Sequence, residues 1–320
     1  IGDGREVGEF ELENGTVVNH LQINQLGSDS IIFNANRVSL AVRRAIALIL
    51  NLDDIAENLY ANQEPAYHYV PPEMFPNLDG KYDSPADAYE AHLNGEDIQL
   101  SSEASELVQD GYPWGMGEER IDEAQQLIED EDLVGESYTM TLSEEEDWER
   151  VGERVQSKAE AIGLEIELET ADYGTLISRG VEEQSLDFYS LGDTAEVPAP
   201  DNLLRFYPPQ TANNQASQWG ERIDDGDDPT NPDSWETRVQ QETAEAWEED
   251  YIQAQASGDE FEQQRNRAYL TVEEAIWHSV QIIPTAHRIT REFWTDDVDY
   301  TPPGVMEGKT YNTVSIDRED

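Results

Sequence analysis

"SYTMTLSEEEDWERVGERVQSKAEAIGLEIELETADYGTLISRGVEEQSLDFYSL", residues 137–191, decides the fold. "SYTMTL" (137–142) alternates as a half-buried strand does, and Ser143 with Glu146 has the spacing of a capping box. Trp148, Val151, Val155, Ala159 and Ile162 then fall on one stripe of a helix that Gly163 ends. "LEIELET" (164–170) predicts a second strand, Asp172 opens a second helix through about 183, and "LDFYSL" (186–191) predicts a third strand. The order β-α-β-α-β predicts an α/β fold whose parallel strands are joined by right-handed crossovers. Ligands of such sheets gather beyond the carboxyl ends of the strands. The acidic, proline-studded corner "GDTAEVPAP" (192–200) begins at one of those ends.

Upstream, "GEFELENGTVVNHLQI" (8–23) and "SIIFN" (30–34) alternate apolar and polar positions, with Asn14-Gly15 as a hairpin turn, and predict short strands. Ser39 precedes the helical "LAVRRAIALIL" (40–50), and Asn51 with Asp54 caps a second helix through Leu59. Residues 61–117 are rich in proline and loop signals, with one short helix at about 84–93. Downstream, helices are expected at roughly 234–255 and 259–279, then a strand in "VQIIPTAHRIT" (280–290) and closing strands to the end.

Composition bounds the surface and the partners. Acidic residues number 71 against 19 basic ones, for a formal net charge of -52, yet 37% of residues are hydrophobic. That combination points to a folded protein with an acid-covered face, similar in composition to proteins of extreme halophiles. At molar salt the screening length falls to about 3 Å and the mutual repulsion of those charges is damped. Nucleic acid is excluded as a partner because its phosphates need clustered Lys and Arg. There is no cysteine, which removes disulfides and thiolate metal sites. Apolar runs such as "AIALIL" (45–50) are far shorter than the roughly 20 residues that span a bilayer.

No P-loop, dinucleotide-binding glycine motif or nucleophile elbow occurs. His20, His68, His92, His278 and His287 are dispersed and read as structural, His68 and His287 being the better functional candidates from their loop and strand-end settings. The acidic loop "ERIDDGDDPTNPDSWE" (221–236) lacks the glycine position and ligand spacing of an EF-hand, so calcium is not expected there. No cofactor is implied. A carboxylate pair could run hydrolytic chemistry, but among 71 acids the sequence singles none out. A carboxylate-based hydrolase and a cell-surface interaction module therefore stand as alternatives to a binding protein.

Several segments, in order, resemble the family 5 extracellular solute-binding proteins of ABC importers, the oligopeptide, dipeptide and nickel-binding type. "FNANRVSLAVRRAIALILNLDDI" (33–55) resembles the family's strand leading to a V-R-x-A helix. "EPAYHYVPP" (64–72) is similar to its P-A-x-x-x-x-P-P loop, and "IDEAQQLIED" (121–130) to its alanine and leucine segment. "AIGLEIELETADYGTLISRG" (161–180) resembles its I-G-I-x-V-x-L strand and following helix, and "AIWHSVQIIPTAH" (275–287) its helix running into an I-P strand.

The resemblance implies a type II periplasmic-binding-protein-like lobe with a mixed sheet, present as the C-terminal portion of a two-lobed protein. Residues 35–287 would form that lobe, while residues 1–34 and 288–320 would be strands belonging to the other. It further implies capture of an oligopeptide or similar small solute in an interlobe cleft, ABC permease subunits as partners, a monomer, and a place at the outer face of the cell membrane with a lipid anchor. In the family a G-W-x-A-D-Y-x-x-P segment follows the third strand, and its acid receives a peptide's α-ammonium. Laid here without gaps it meets Gly192, Asp193, Thr194, Ala195, Glu196, Val197 and Pro200. Glu196 takes the acid's place, whereas Asp193 and Val197 replace the Trp and Tyr, which shifts the expectation toward a more cationic ligand. Ser190 stands where some members carry an arginine for the ligand's carboxylate, and Arg179 is the nearest arginine in sequence.

Overall fold

The computed structural model describes residues 5–60, 63–209, 217–220, 237–252, 254–255, 258–295, 298–300 and 314–316. The acidic loop at 221–236 lies outside the described residues. The chain opens with a hairpin, β1 (Arg5–Glu11) and β2 (Val17–Phe33), which turns at Gly15 with a φ of +81° that a side chain would disfavour. Instead of several short strands, β2 is one strand of 17 residues. Helix α1 (Leu40–Leu48) starts at Ser39, whose hydroxyl accepts from the Val42 N–H. Asn51 caps α2 (Leu52–Asp54), which widens into a π turn through Leu59. The short β3 (Glu64–Pro65), α3 (Pro85–Leu93, capped by Ser84) and α4 (Ile121–Asp130) follow.

The next elements are β4 (Ser137–Ser143), α5 (Glu146–Ala161), β5 (Glu165–Ala171), α6 (Tyr173–Ile177) with a π turn to Glu182, and β6 (Phe188–Thr194). Helix α7 (Asp201–Leu204), α8 (Arg238–Ala246) with a π turn to Ile252, and the long α9 (Asp259–Ser279) lead to β7 (Ile282–Trp294). β8 (Val298–Tyr300) and β9 (Val314–Ile316) form a separate two-stranded ribbon.

β4 pairs in parallel with both β5 and β6, as alternation of strands and helices requires. β2 then joins β6 antiparallel, so the sheet is mixed, in the order β3-β7-β2-β6-β4-β5 with β1 beside β2. Phe33 stacks on its cross-strand partner Phe188 with ring centroids 5.1 Å apart, fixing the register at the start of β6. α5 lays Trp148, Val151, Val155 and Ala159 on the sheet, and its Gly152 is where a Cβ would collide with Leu142. Glu146, Asp147 and Glu149 occupy its first turn, where the helix dipole favours acids.

The capping box expected from Ser143 and Glu146 is not formed. Ser143 is still in β4, and the helix begins after Glu145 with no side-chain cap. The third strand also starts two residues later than the sequence suggests and continues through Gly192, Asp193 and Thr194, because β2 supplies partners Asp29, Ser28 and Gly27 for them.

α9 is the second organiser. It is buried along most of its length, and its carboxylates hold the proline-rich loops: Glu273 accepts the N–H groups of Tyr69 and Val70 at 3.0 and 2.8 Å, and Glu274 those of Gln99 and Leu100. Trp277 Nε1 donates to Tyr67 O at 2.8 Å. A loop thus keeps its backbone satisfied without belonging to helix or sheet.

Candidate functional site

β4 and β5 end side by side at Ser143 and Ala171, and β6 runs past them to Thr194. At that edge the path of β4 decides what is exposed. β4 pairs with β6 only at Met140–Phe188 and Thr141–Tyr189. Ser190 Oγ then accepts the Ser143 N–H at 2.8 Å, taking the place of a ladder bond as β4 turns away into α5. From Leu191 to Thr194 the β4 side of β6 has no strand partner among the described residues, while β2 pairs its other side throughout. Unpaired backbone donors and acceptors of this kind are a template for an added extended chain.

Ser190 is fully buried, so its hydroxyl serves this seam and is not presented to solvent. Gly192 lies opposite Asp29, and a Cβ on it would run into the Arg288 guanidinium and come within 2.5 Å of Asp29 Oδ1. Asp193 points to the other face. Its Oδ1 accepts the Thr194 N–H at 2.8 Å and its Oδ2 is 3.4 Å from the donating Tyr69 hydroxyl. Burial pushes the Asp193 carboxyl up, the two hydrogen bonds and Arg205 pull it down, and Glu196 raises it again.

The corner after β6 is held by its backbone. Ala195 is buried and its N–H donates to Leu26 O at 2.7 Å. The Glu196 N–H donates to Asn202 Oδ1 at 2.7 Å. That leaves the Glu196 side chain exposed with no hydrogen bond of its own among the described residues, beside Val197, which is 50% exposed. A carboxylate fixed at its root and free at its tip suits a cationic group of a ligand. Arg179 instead pairs with Glu169 of β5 at 3.3 Å.

His68 and His287 are buried and offer nothing to a solute. His68 stacks on Trp277 with centroids 4.7 Å apart, and burial first, then His92 and His287, hold it neutral. His287 Nδ1 is 2.9 Å from Ser28 Oγ. Among the described residues no three acids or histidines are placed to hold a metal ion, and no helix is long and apolar enough to cross a membrane.

Sequence reasoning missed Asp29, Arg288 and Tyr69. Asp29 and Arg288 are ion-paired across β2 and β7 against Gly192, and Tyr69 sits over Asp193 in edge contact with Tyr207, centroids 4.9 Å apart. The available signal for Arg288 was an arginine placed four residues after Pro284 in a chain poor in cations.

The architecture matches solved structures over nearly all of this chain. It is similar to the murein tripeptide binding protein MppA of Escherichia coli (TM-score 0.63, 16% identity), covering 94% of this chain and 50% of that one. It is similar to Haemophilus influenzae OppA in complex with RPPGFSPFR (TM-score 0.62, 17% identity; 93% and 50%). It is also similar to DppA of Helicobacter pylori in complex with the peptide STSA (TM-score 0.61, 16% identity; 98% and 49%). The chain thus spans about half the length of each. No curated protein matches it in sequence. Residues 6–215, well over half of the chain, match the family described as bacterial extracellular solute-binding proteins, family 5 middle, and the chain belongs to that family.

Proposed function

We propose that this chain is the larger part of one lobe of a solute receptor that serves an ABC importer, and that it captures an oligopeptide or similar solute against the end of β6. The observation that carries the reading is the edge at Leu191–Thr194, without a strand partner among the described residues and flanked by the Asp193 and Glu196 carboxylates at the carboxyl end of a parallel strand. An extended peptide would take its main-chain hydrogen bonds from that edge, and its ammonium would meet Glu196. Two of the similar structures hold peptides, which supports the choice of solute class. No covalent step is needed, so the carboxylates act as binding groups and not as an acid and base pair.

On this reading residues 1–34 and 288–320 belong with a second lobe, and the two lobes close around the solute. The permease would receive the loaded receptor at the outer face of the membrane, where a lipid anchor would hold it as a monomer. The acid-rich composition fits a protein adapted to high salt.

Isothermal titration of the complete protein with short peptides at high salt tests the reading. Loss of a charge-assisted hydrogen bond weakens binding by about 1.5–3 kcal/mol, so Glu196→Ala is expected to raise Kd roughly tenfold to a hundredfold. Unchanged affinity would remove Glu196 from the site, and failure to bind any peptide would sink the receptor assignment.

A further inference from the structure

Tyr69 reaches the end of β6 from the loop between β3 and α3, and three of its polar groups are taken by three different elements. Its N–H donates to Glu273 Oε2 of α9 at 3.0 Å, its C=O accepts from the Ser28 hydroxyl of β2 at 2.8 Å, and its own hydroxyl donates to Asp193 Oδ2 of β6 at 3.4 Å. That hydroxyl also meets the one on Tyr207. The ring is buried, so a shift of the loop backbone is passed on to Asp193 and not absorbed by open space. Val70, next along, gives its N–H to Glu273 Oε1 at 2.8 Å. Both oxygens of one carboxyl thus fix the backbone from which Tyr69 reaches the strand end.

That carboxyl sits where a charge is hard to keep. Glu273 is fully buried, and among the described residues no Lys or Arg pairs with it. The titratable groups that face it are His68 from the same loop, Tyr89 of α3, Tyr207 after α7 and Glu274 on its own helix. His92 of α3 lies 3.0 Å from Glu274, and His287 of β7 is occupied by Ser28. Two neutral N–H donors do not compensate a bare carboxylate away from water, so the site fits the neutral acid, and burial raises Glu273 to about 8. The proton has a receiver in reach. His68 Nδ1 is 3.6 Å from Glu273 Oε2, and neither nitrogen of that buried ring has a hydrogen-bond partner among the described residues. Once the proton leaves, the remaining charge is solvated only if the loop yields to water, and the loop carries Tyr69 with it.

We propose that Glu273 is a positioning residue for the solute wall: it touches no solute, but through Tyr69 its neutral acid form holds Asp193 and the end of β6 in place, so that loss of one buried proton lowers the affinity for peptide. The inference rests on the peptide-receptor reading and adds regulation to it, because solute and proton then favour the same form of the protein and each promotes binding of the other. With the carboxyl titrating at about 8, the competent fraction falls from nearly all at pH 6 to about one in eleven at pH 9, and Kd rises roughly tenfold from this cause. A peptide's own ammonium titrates at about 8 and weakens binding over the same range. That contribution is common to wild type and variants and cancels between them.

The test is isothermal titration of the complete protein at pH 6 and pH 9 and fixed high salt, the probe being the best-retained member of a randomised tripeptide pool at pH 6. The ratio of Kd at pH 9 to Kd at pH 6 is expected to be about tenfold larger in the wild type than in Glu273→Gln, whose amide has no proton to lose. Tyr69→Phe keeps the ring and backbone but removes the hydroxyl that reaches Asp193, and it should lower the wild-type ratio by about threefold or more. This second variant carries the test if Glu273→Gln fails to fold. A wild-type ratio in either folded variant overturns the inference. If the wild-type protein loses stability with rising pH through Glu273 while the ratio matches that of Glu273→Gln, the residue is structural only and the inference falls, with the receptor reading left standing. Retention of no tripeptide at pH 6 overturns the receptor reading and the inference with it.

Discussion

Replacing Glu273 by glutamine should change how stability depends on pH more than it changes stability itself. Glu273 is fully buried in α9, and burial pushes its carboxyl up to about 8 against the pull of the Tyr69 and Val70 N–H groups. The folded state therefore keeps a proton at neutral pH that the unfolded chain has lost. Its nearest histidine nitrogen is His68 Nδ1, 3.6 Å away and without a hydrogen-bond partner. A folded-state value raised above the unfolded one gives stability that is fully present below the unfolded value of 4.5 and lost as pH climbs to about 8. One proton over that window amounts to about 1.4 kcal/mol per pH unit. Between about pH 6 and pH 9 the wild type should lose roughly 2.5 kcal/mol from this group.

The buried histidines act the other way in this window: kept neutral in the folded state, they add stability in wild type and variant alike as pH rises through their ordinary value of 6.5, a gain that cancels in the difference between the two. Burial holds His287 and, with help from Arg44 and Arg43, His278 at about 4, and His68 is lowered well below its usual range. Glu273→Gln cannot lose a proton. It accepts one of the two N–H groups and leaves the other poorly paired, a constant cost of about 1–3 kcal/mol. Urea unfolding at fixed high salt across this range should show the wild type losing roughly 2.5 kcal/mol relative to the variant as pH rises, their curves converging toward the alkaline side. Parallel curves would refute the assignment of a neutral, buried Glu273.

Gly192→Ala should displace the Arg288 guanidinium from buried Asp29; with Arg288 partly exposed, a loss of about 2 kcal/mol in urea unfolding is expected, and a change under about 0.5 would show that the pair relaxes freely. Gly152→Ala should overpack α5 against Leu142 and cost about 1–3 kcal/mol by the same measurement, a wild-type midpoint being the contrary result. Thermal unfolding from about 0.1 M to about 1 M salt should show a rising Tm, because screening damps the repulsion among the acids; a flat profile would separate the composition from any salt adaptation.

The helical and parallel part of the fold was legible because each segment carries its own period. The stripe from Trp148 to Ile162 lies on the sheet, and Gly163 adopts a φ of +87° just after α5, as a helix-ending glycine should. What misled was any feature set by a distant partner. Ser143 reads as a cap locally, but its N–H is taken by Ser190, 47 residues away. β6 reads as ending at Leu191, yet it continues to Thr194 because β2, far upstream, supplies its neighbours. The sequence places the corner at 192–200 at the carboxyl end of the third strand. Its pairing of Gly192 with Asp29 and Arg288, and of Asp193 with Tyr69, depends on contacts that no spacing within the segment encodes.

The most direct test of the β6 edge as the ligand wall is amide hydrogen exchange on the complete protein, with and without a saturating tripeptide. The amides of Leu191–Asp193 that point away from β2 should exchange quickly in the free protein and become protected when the peptide binds. A peptide that binds with no added protection over 191–193 would contradict the account.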